Sequence, residues 1–251
     1  LAVLAGIFSA ALTIFVLVIQ ERLTGFIHVP TDDVLSQLIY CVAGIGLREE
    51  TLKLLCFLPF AFWAAKRRSR VEGLVLAGLV GLGFAWQENL GYFEEGENPY
   101  VIAIRPITAN ALHIADTGII GYWLTRTLIA KGRGWENFLL AFILIVIAHG
   151  IYDAVIIVPD LQEYGPLTTI FVAVIAYKYF DPLREEMDIA AVHRRMSPLG
   201  IFIIGMVLLC NTVLISSAFR EVSNVAIGAF AAAVGSCIPL SFAFISRFRD
   251  L

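Results

Sequence analysis

Apolar runs near 1–20, 35–65, 72–93, 105–126, 136–158, 164–180, 199–219 and 224–246 take up almost the whole chain, with short charged joins between them. Crossing a bilayer core about 30 Å thick takes about 20 helical residues. Lipid offers no partners to the backbone, so an open chain crosses it as helix. The expected fold is therefore all-α: a polytopic membrane helix bundle of about eight transmembrane helices, forming a single membrane-embedded domain over 1–251. Composition agrees, because 59% hydrophobic and 16% charged residues exclude an ordinary soluble domain. The joins leave no room for a soluble domain, so the bundle itself must carry the function. The second run is long because charges interrupt it, and it reads as one tilted helix or two pieces. Leu1 opens into an apolar run without an initiator Met, which suggests a segment of a longer protein, and no signal-peptide cleavage site is evident.

Positive residues near span ends mark the cytoplasmic side. Lys66, Arg67, Arg68, Arg70, Arg126, Lys131, Arg133, Lys178, Arg184, Arg194, Arg195, Arg247 and Arg249 fall in alternate joins on one side, whereas Arg22, Arg105 and Arg220 fall on the other. The expected topology is a multi-pass protein of the cell membrane with both termini cytoplasmic. Glu94, Glu95, Glu97, Asp160 and Glu163 then lie outside. The join 178–198, with Met187, Ile189, Ala190 and Val192 among charges, reads as a short amphipathic linker helix. Cys41, Cys56, Cys210 and Cys237 lie in apolar runs with no C-x-x-C pair, which is a packing pattern. A net charge of −3 says little about partners, and no nucleic acid is expected among them.

Four polar signatures stand inside these runs: Glu49-Glu50-x-x-Lys53, Phe84-x-x-x-Glu88-Asn89, His113 and His149-x-x-x-Asp153. An ionisable group at membrane depth costs roughly 2.5 to 3.5 kcal/mol on insertion scales and usually faces a protein interior or water. At 1.5 Å per helical residue, Glu49 and Glu50 lie about 24 to 26 Å from the cytoplasmic ends, Glu88 about 24 Å, His113 and His149 about 20 Å, and Asp153 about 26 Å. That is one layer, in the outer half of the membrane. Facing agrees, because residues three or four apart share a helix face. Lys53 can neutralise the glutamates, which point about 100° apart, so only one of them is expected to aim at a reaction centre. Asp116 shares a face with His113 and is expected to orient its imidazole, and Asn89 reads as a helix–helix hydrogen bonder.

Carboxylates and imidazoles in a half-dry cavity suit two classes of chemistry. In the first, a glutamate takes a proton from water while its neighbours stabilise a tetrahedral oxyanion, or Glu and His hold a divalent metal such as zinc with one position open. In the second, Glu, His and Asp relay protons in a proton-coupled membrane transporter. Transporters commonly show internal repeats, and none is visible here, so hydrolysis leads. A silent scaffold with an ion-paired core is the third reading, and it requires the polar residues to lie apart.

The ordered set Glu49-Glu50-x-x-Lys53, Gly83-Phe84-x-x-x-Glu88-Asn89, His113-x-x-x-Thr117-x-x-x-Gly121 and His149-x-x-x-Asp153 resembles the motifs of PrsW-type intramembrane proteases, relatives of the CaaX prenyl endopeptidases and bacteriocin-processing enzymes. The match covers roughly 35–158, so that stretch would be the catalytic core, with 1–34 and 159–251 peripheral. The resemblance implies a membrane peptidase in which Glu49 or Glu50 activates water, with Glu88, His113, His149 and Asp153 as further catalytic or ligand groups and Lys53, Asn89 and Asp116 in support. Glu88 stands where the CaaX branch has a histidine, and Asp153 where that branch usually has asparagine. The implied mechanism depends either on a metal or on glutamate alone. The implied substrate is a membrane-spanning regulator, such as an anti-sigma factor, cut near the extracytoplasmic side.

Overall fold

The computed structural model describes residues 1–24, 33–94, 99–189, 202–208, 211 and 223–248, and among them every regular element is helical. In order these are α1 (Ala2–Thr24), α2 (Val34–Ile39), a π-helical stretch Tyr40–Gly46, α3 (Leu47–Lys66), α4 (Arg70–Glu94), α5 (Pro99–Ile129), α6 (Trp135–Ile157), a 3-10 helix Pro159–Tyr164, α7 (Gly165–Ile189) and α8 (Ser223–Phe248). Most of the run at 199–219 lies outside the described residues, as do Ala190, Val192, Arg194, Arg195, Arg220, Arg249, Glu95, Glu97 and Cys210. Cys41 and Cys56 are free thiols.

Three of the described helices are long and apolar enough to cross a membrane, over Ala2–Gln20, Trp135–Ile157 and Ile227–Phe248. Helix α3 has a span's length but carries Arg48, Glu49, Glu50 and Lys53 in its first two turns. The long second run is one continuous helical path from Val34 to Lys66, with α-helical dihedrals at both junctions of the π-helical stretch. Its i→i+5 turns change the phase of everything that follows, α3 included. The path starts at Asp33, whose Oδ1 accepts from the Ser36 N–H at 2.8 Å. That bond holds the Asp33 carboxyl below its ordinary range.

The described residues group into two compact units. The first comprises Leu1–Gln87 and His113–Thr168. Inside it, helices meet at small residues, as they do where lipid supplies no hydrophobic drive for association. Positions 73, 77 and 81 of α4 face α5: Gly73 lies against Thr125, Ala77 against Gly121, and Gly81 against the backbone carbonyl of His113. Helix α1 crosses α4 where Gly6 meets Gly83, and α6 crosses the π-helical stretch where Gly150 meets Val42 and Gly46 meets the Val146 carbonyl. Phe57, Ala61, Val80, Ile120, Leu124 and Phe138 fill the core around these crossings. In the second unit, Glu88–Leu112 and Thr169–Leu251, Phe202 stacks on Phe244 with centroids 4.1 Å apart, and Arg247 Nη2 pairs with Asp181 Oδ1 at 2.9 Å.

A Cβ at position 81 would collide with the His113 carbonyl, whereas one at position 91 meets nothing within 4 Å. Overpacking of this kind costs about 1–3 kcal/mol. Gly81→Ala is therefore expected to lower the thermal midpoint in detergent, and Gly91→Ala to leave it unchanged or raise it slightly. Equal midpoints for the two variants would refute the close α4–α5 approach.

Candidate active site

Glu49 and Glu50 stand in the first turn of α3, directly after the re-phased stretch, and Lys53 follows one turn later. The Lys53 ammonium is fully buried and has partners from two helices: it donates to Glu50 Oε1 at 2.8 Å, to His113 Nδ1 at 2.8 Å and to Glu49 Oε2 at 3.5 Å. Its nitrogen also lies 3.8 Å from the ring centroid of Phe84 on α4. Phe84 in turn packs its ring against His113, with centroids 5.3 Å apart. A cation over an aromatic face is favoured more strongly when dry.

His149 of α6 stands between carboxylates at both ring nitrogens. Its Nδ1 donates to Glu50 Oε1 at 2.8 Å, and its Nε2 is 3.3 Å from both Glu49 Oε2 and Asp153 Oδ2. Both glutamates thus reach the same imidazole, contrary to the expectation that only one would aim inward. The 100° between them along α3 is spanned by the two opposed nitrogens of the ring. The His113 and His149 rings meet edge to face, with centroids 5.0 Å apart. Thr117 Oγ1 donates to Glu50 Oε2 at 3.5 Å.

Asp116 departs from its expected place. Among the described residues neither of its buried oxygens has a hydrogen-bond partner, and Oδ2 lies 4.0 Å from His149 Nδ1. His113 is held by Lys53 instead. Glu88 and Asn89 belong to a second network around the buried Arg105, whose Nη2 is 2.9 Å from Glu88 Oε1 and whose Nε donates to Asn89 Oδ1 at 3.1 Å. Asn89 Nδ2 donates to Asn110 Oδ1 at 2.9 Å, and the Arg105 guanidinium stacks 3.6 Å from the Tyr92 ring centroid. Sequence reasoning counted Arg105 only as a loop charge. The missed signal was a cation inside the apolar run that also carries Asn110 and His113.

The cluster holds four carboxylates, two imidazoles and one ammonium, so with neutral rings it carries three excess negative charges. Burial on that scale requires protons or a cation. Donor atoms of Glu49, His113 and His149 lie within 4.8 Å of one another, as do those of Glu50, Asp116 and His149. Within the first set, the 3.3 Å between Glu49 Oε2 and His149 Nε2 matches the ligand-to-ligand spacing of a tetrahedral ion with bonds of about 2.0–2.1 Å, and is longer than a charge-assisted hydrogen bond. With Nδ1–H committed to Glu50, His149 turns its Nε2 lone pair toward Glu49, which is the usual outer-shell arrangement of a ligating histidine. The first set therefore fits a divalent cation. Ligation through His113 Nε2 would need the Lys53–His113 proton on Nδ1. With the proton on Lys53, the neutral His113 ring carries N–H at Nε2 and is a donor.

A family profile described as "PrsW family intramembrane metalloprotease" matches residues 1–179. Three relatives named Protease PrsW align with the chain. That of Oceanobacillus iheyensis is 31% identical over 115 residues, 45% of this chain and 52% of the relative. That of Clostridioides difficile is 23% identical over 187 residues, 72% of this chain and 76% of the relative. That of Shouchella clausii is 30% identical over 155 residues, 60% of this chain and 67% of the relative. The chain thus spans about half the length of the Oceanobacillus protein. No solved structure matches it.

Removing one partner from a buried charge set leaves uncompensated charge and costs about 3–5 kcal/mol. Lys53→Met is expected to lose stability on that scale in chemical unfolding in micelles. Lys66→Met, at the exposed end of α3, should stay within about 0.5 kcal/mol of the parent. A Lys53 variant as stable as the Lys66 variant would show that the ammonium does not hold the cluster together.

Proposed function

The chain belongs to the PrsW family of intramembrane metalloproteases, and on that premise we propose that it is an endopeptidase hydrolysing a peptide bond of a membrane-anchored protein near the extracytoplasmic side of the bilayer. The observation that carries this reading is His149 standing between Glu49 and Glu50, with Lys53 and His113 completing the buried cluster. The two glutamates divide the work. Glu50 is fully buried and accepts from Lys53, His149 and Thr117, so it orients His149. Glu49 is 8% exposed with longer contacts, and Asp153 beside it is 9% exposed, so water enters from their side. Glu49 takes the proton of the attacking water and returns it to the leaving amine. His113 presents Nε2–H to the oxyanion, and Asp153 holds the face of His149 turned to the substrate. With the Lys53–His113 proton moved to Nδ1, which frees the Nε2 lone pair, a divalent cation held by Glu49, His113 and His149 would take over the oxyanion from that N–H and acidify the attacking water.

The finer topology is part of the same proposal: about eight spans, both termini cytoplasmic, a core over 35–158 and the cluster in the outer half of the membrane. A single-span regulator of the anti-sigma-factor kind is the substrate class that fits. The proton-coupled carrier is not favoured, since the relatives are proteases.

Glu49→Gln, Glu50→Gln, His113→Ala and His149→Ala should each slow cleavage of a co-reconstituted single-span substrate by roughly 10²-fold or more. If all four cut at the parent rate, the assignment fails. Elemental analysis of the purified protein should find about one divalent metal per chain, lost in His149→Ala. Full cleavage by metal-free protein would leave the glutamate mechanism standing alone.

A further inference from the structure

Apart from the buried cluster, the strongest concentration of charge in the first unit lies where α3, α4, α5 and α6 share one end. Helices α4 and α5 are in contact at Gly73 and Thr125, which brings the α3–α4 turn and the α5–α6 turn to the same end. Seven cations gather there, Lys66, Arg67, Arg68, Arg70, Arg126, Lys131 and Arg133, against two carboxylates, Glu72 and Glu136. Arg67 pairs with Glu72 at 2.9 Å and also lies over Trp63, and Arg126 lies over Trp123. Trp63 and Trp135 are half exposed at this end, in the manner of interfacial aromatics.

Both helices that run into these turns close with the same backbone motif. At the end of α3 the Ser69 N–H donates to the Ala64 carbonyl and the Arg68 N–H to the Ala65 carbonyl. At the end of α5 the Gly132 N–H donates to the Thr127 carbonyl and the Lys131 N–H to the Leu128 carbonyl. This paired 6→1 and 5→2 pattern places one residue in left-handed backbone, a position usually filled by glycine. Here Arg68 takes it with φ 57° and Lys131 with φ 54°. Among the described residues they are the only non-glycine residues with positive φ. Both are exposed, and neither has an ion-pair partner among the described residues. The second turn is tied down further, because Thr127 Oγ1 donates to the Gly134 carbonyl at 3.3 Å. Helix ends attract cations, but residues within the last turn would serve that purpose without strained backbone.

We propose that Arg68 and Lys131, with the flanking cations and tryptophans, form a binding site for the phosphate headgroup of an anionic phospholipid in the leaflet that meets this end of the bundle. The two turns present their cations on fixed backbone at one level, and the exposed tryptophans beside them seat in the headgroup zone of that same leaflet. A lipid is thus the occupant that satisfies both features. The site depends on membrane embedding and not on the peptidase reading.

The double variant Arg68→Gly with Lys131→Gly tests the site without threatening the fold, since glycine suits both backbone positions. The full chain is reconstituted in phosphatidylcholine nanodiscs with and without phosphatidylglycerol, and bound lipid is counted by native mass spectrometry. The parent should retain phosphatidylglycerol over phosphatidylcholine, with the preference weakened by added salt. The double variant should lose roughly 30-fold of that preference, with an unlowered thermal midpoint in pure phosphatidylcholine. Glu49→Gln should keep the full preference, which separates this site from the peptidase reading. An equal preference in parent and double variant would overturn the proposal, as would no preference in either. Displacement of the lipid by inorganic phosphate would assign the cations to a soluble anion instead.

Discussion

A buried ammonium is what allows the rest of this cluster to exist. Carboxylates without water repel one another and lose hydration worth several kcal/mol each, so Glu49 and Glu50 cannot share a turn of a dry helix unaided. Lys53 answers both from its own helix, and because it is three and four residues away it does so without any tertiary contact. Its third donor goes to His113, which ties α5 to α3, and the Phe84 face ties in α4. Three helices therefore converge on one nitrogen atom.

Convergence of that kind demands close backbones. An imidazole is short, so His149 can touch two glutamates on α3 only if α6 lies almost against the helical path that carries them. Gly150, the residue after His149, meets Val42, and Gly46, three residues before Glu49, meets the Val146 carbonyl. Gly81 does the same for the turn of α5 that bears His113. The glycines and the polar residues are thus two parts of one requirement, and a side chain at any of these contacts would pull apart groups now 2.8 Å from one another.

Much of this was legible in the chain itself. The spacings that put Lys53 beside the glutamates and Asp153 beside His149 are properties of any α-helix, so they could be read without coordinates. Three things could not. The π-helical stretch Tyr40–Gly46 leaves no residue signature, and a reading at 3.6 residues per turn assigns the wrong phase across it. The direction of Asp116 depends on how α5 rolls against α6, which is set by packing and not by the three-residue step from His113. The attachment of Glu88 and Asn89 to Arg105 pairs residues 16 and 17 apart on successive helices, and helical periodicity says nothing about such a pairing.

The paired glutamates show why adjacency matters. Two acids four residues apart would share a face and compete for the same partner. Adjacent acids diverge, so a single ring can separate them, one at Nδ1 and the other at Nε2. The separation also divides burial: Glu50 is sealed by three donors, while Glu49 keeps an edge toward the outside. A carboxylate locked on all sides is a good fixed charge and a poor proton acceptor. A carboxylate with looser contacts is the reverse. On the proposed reading, the motif supplies from one helical turn both the carboxylate that organises the cluster, Glu50, and the one that takes the proton of water, Glu49.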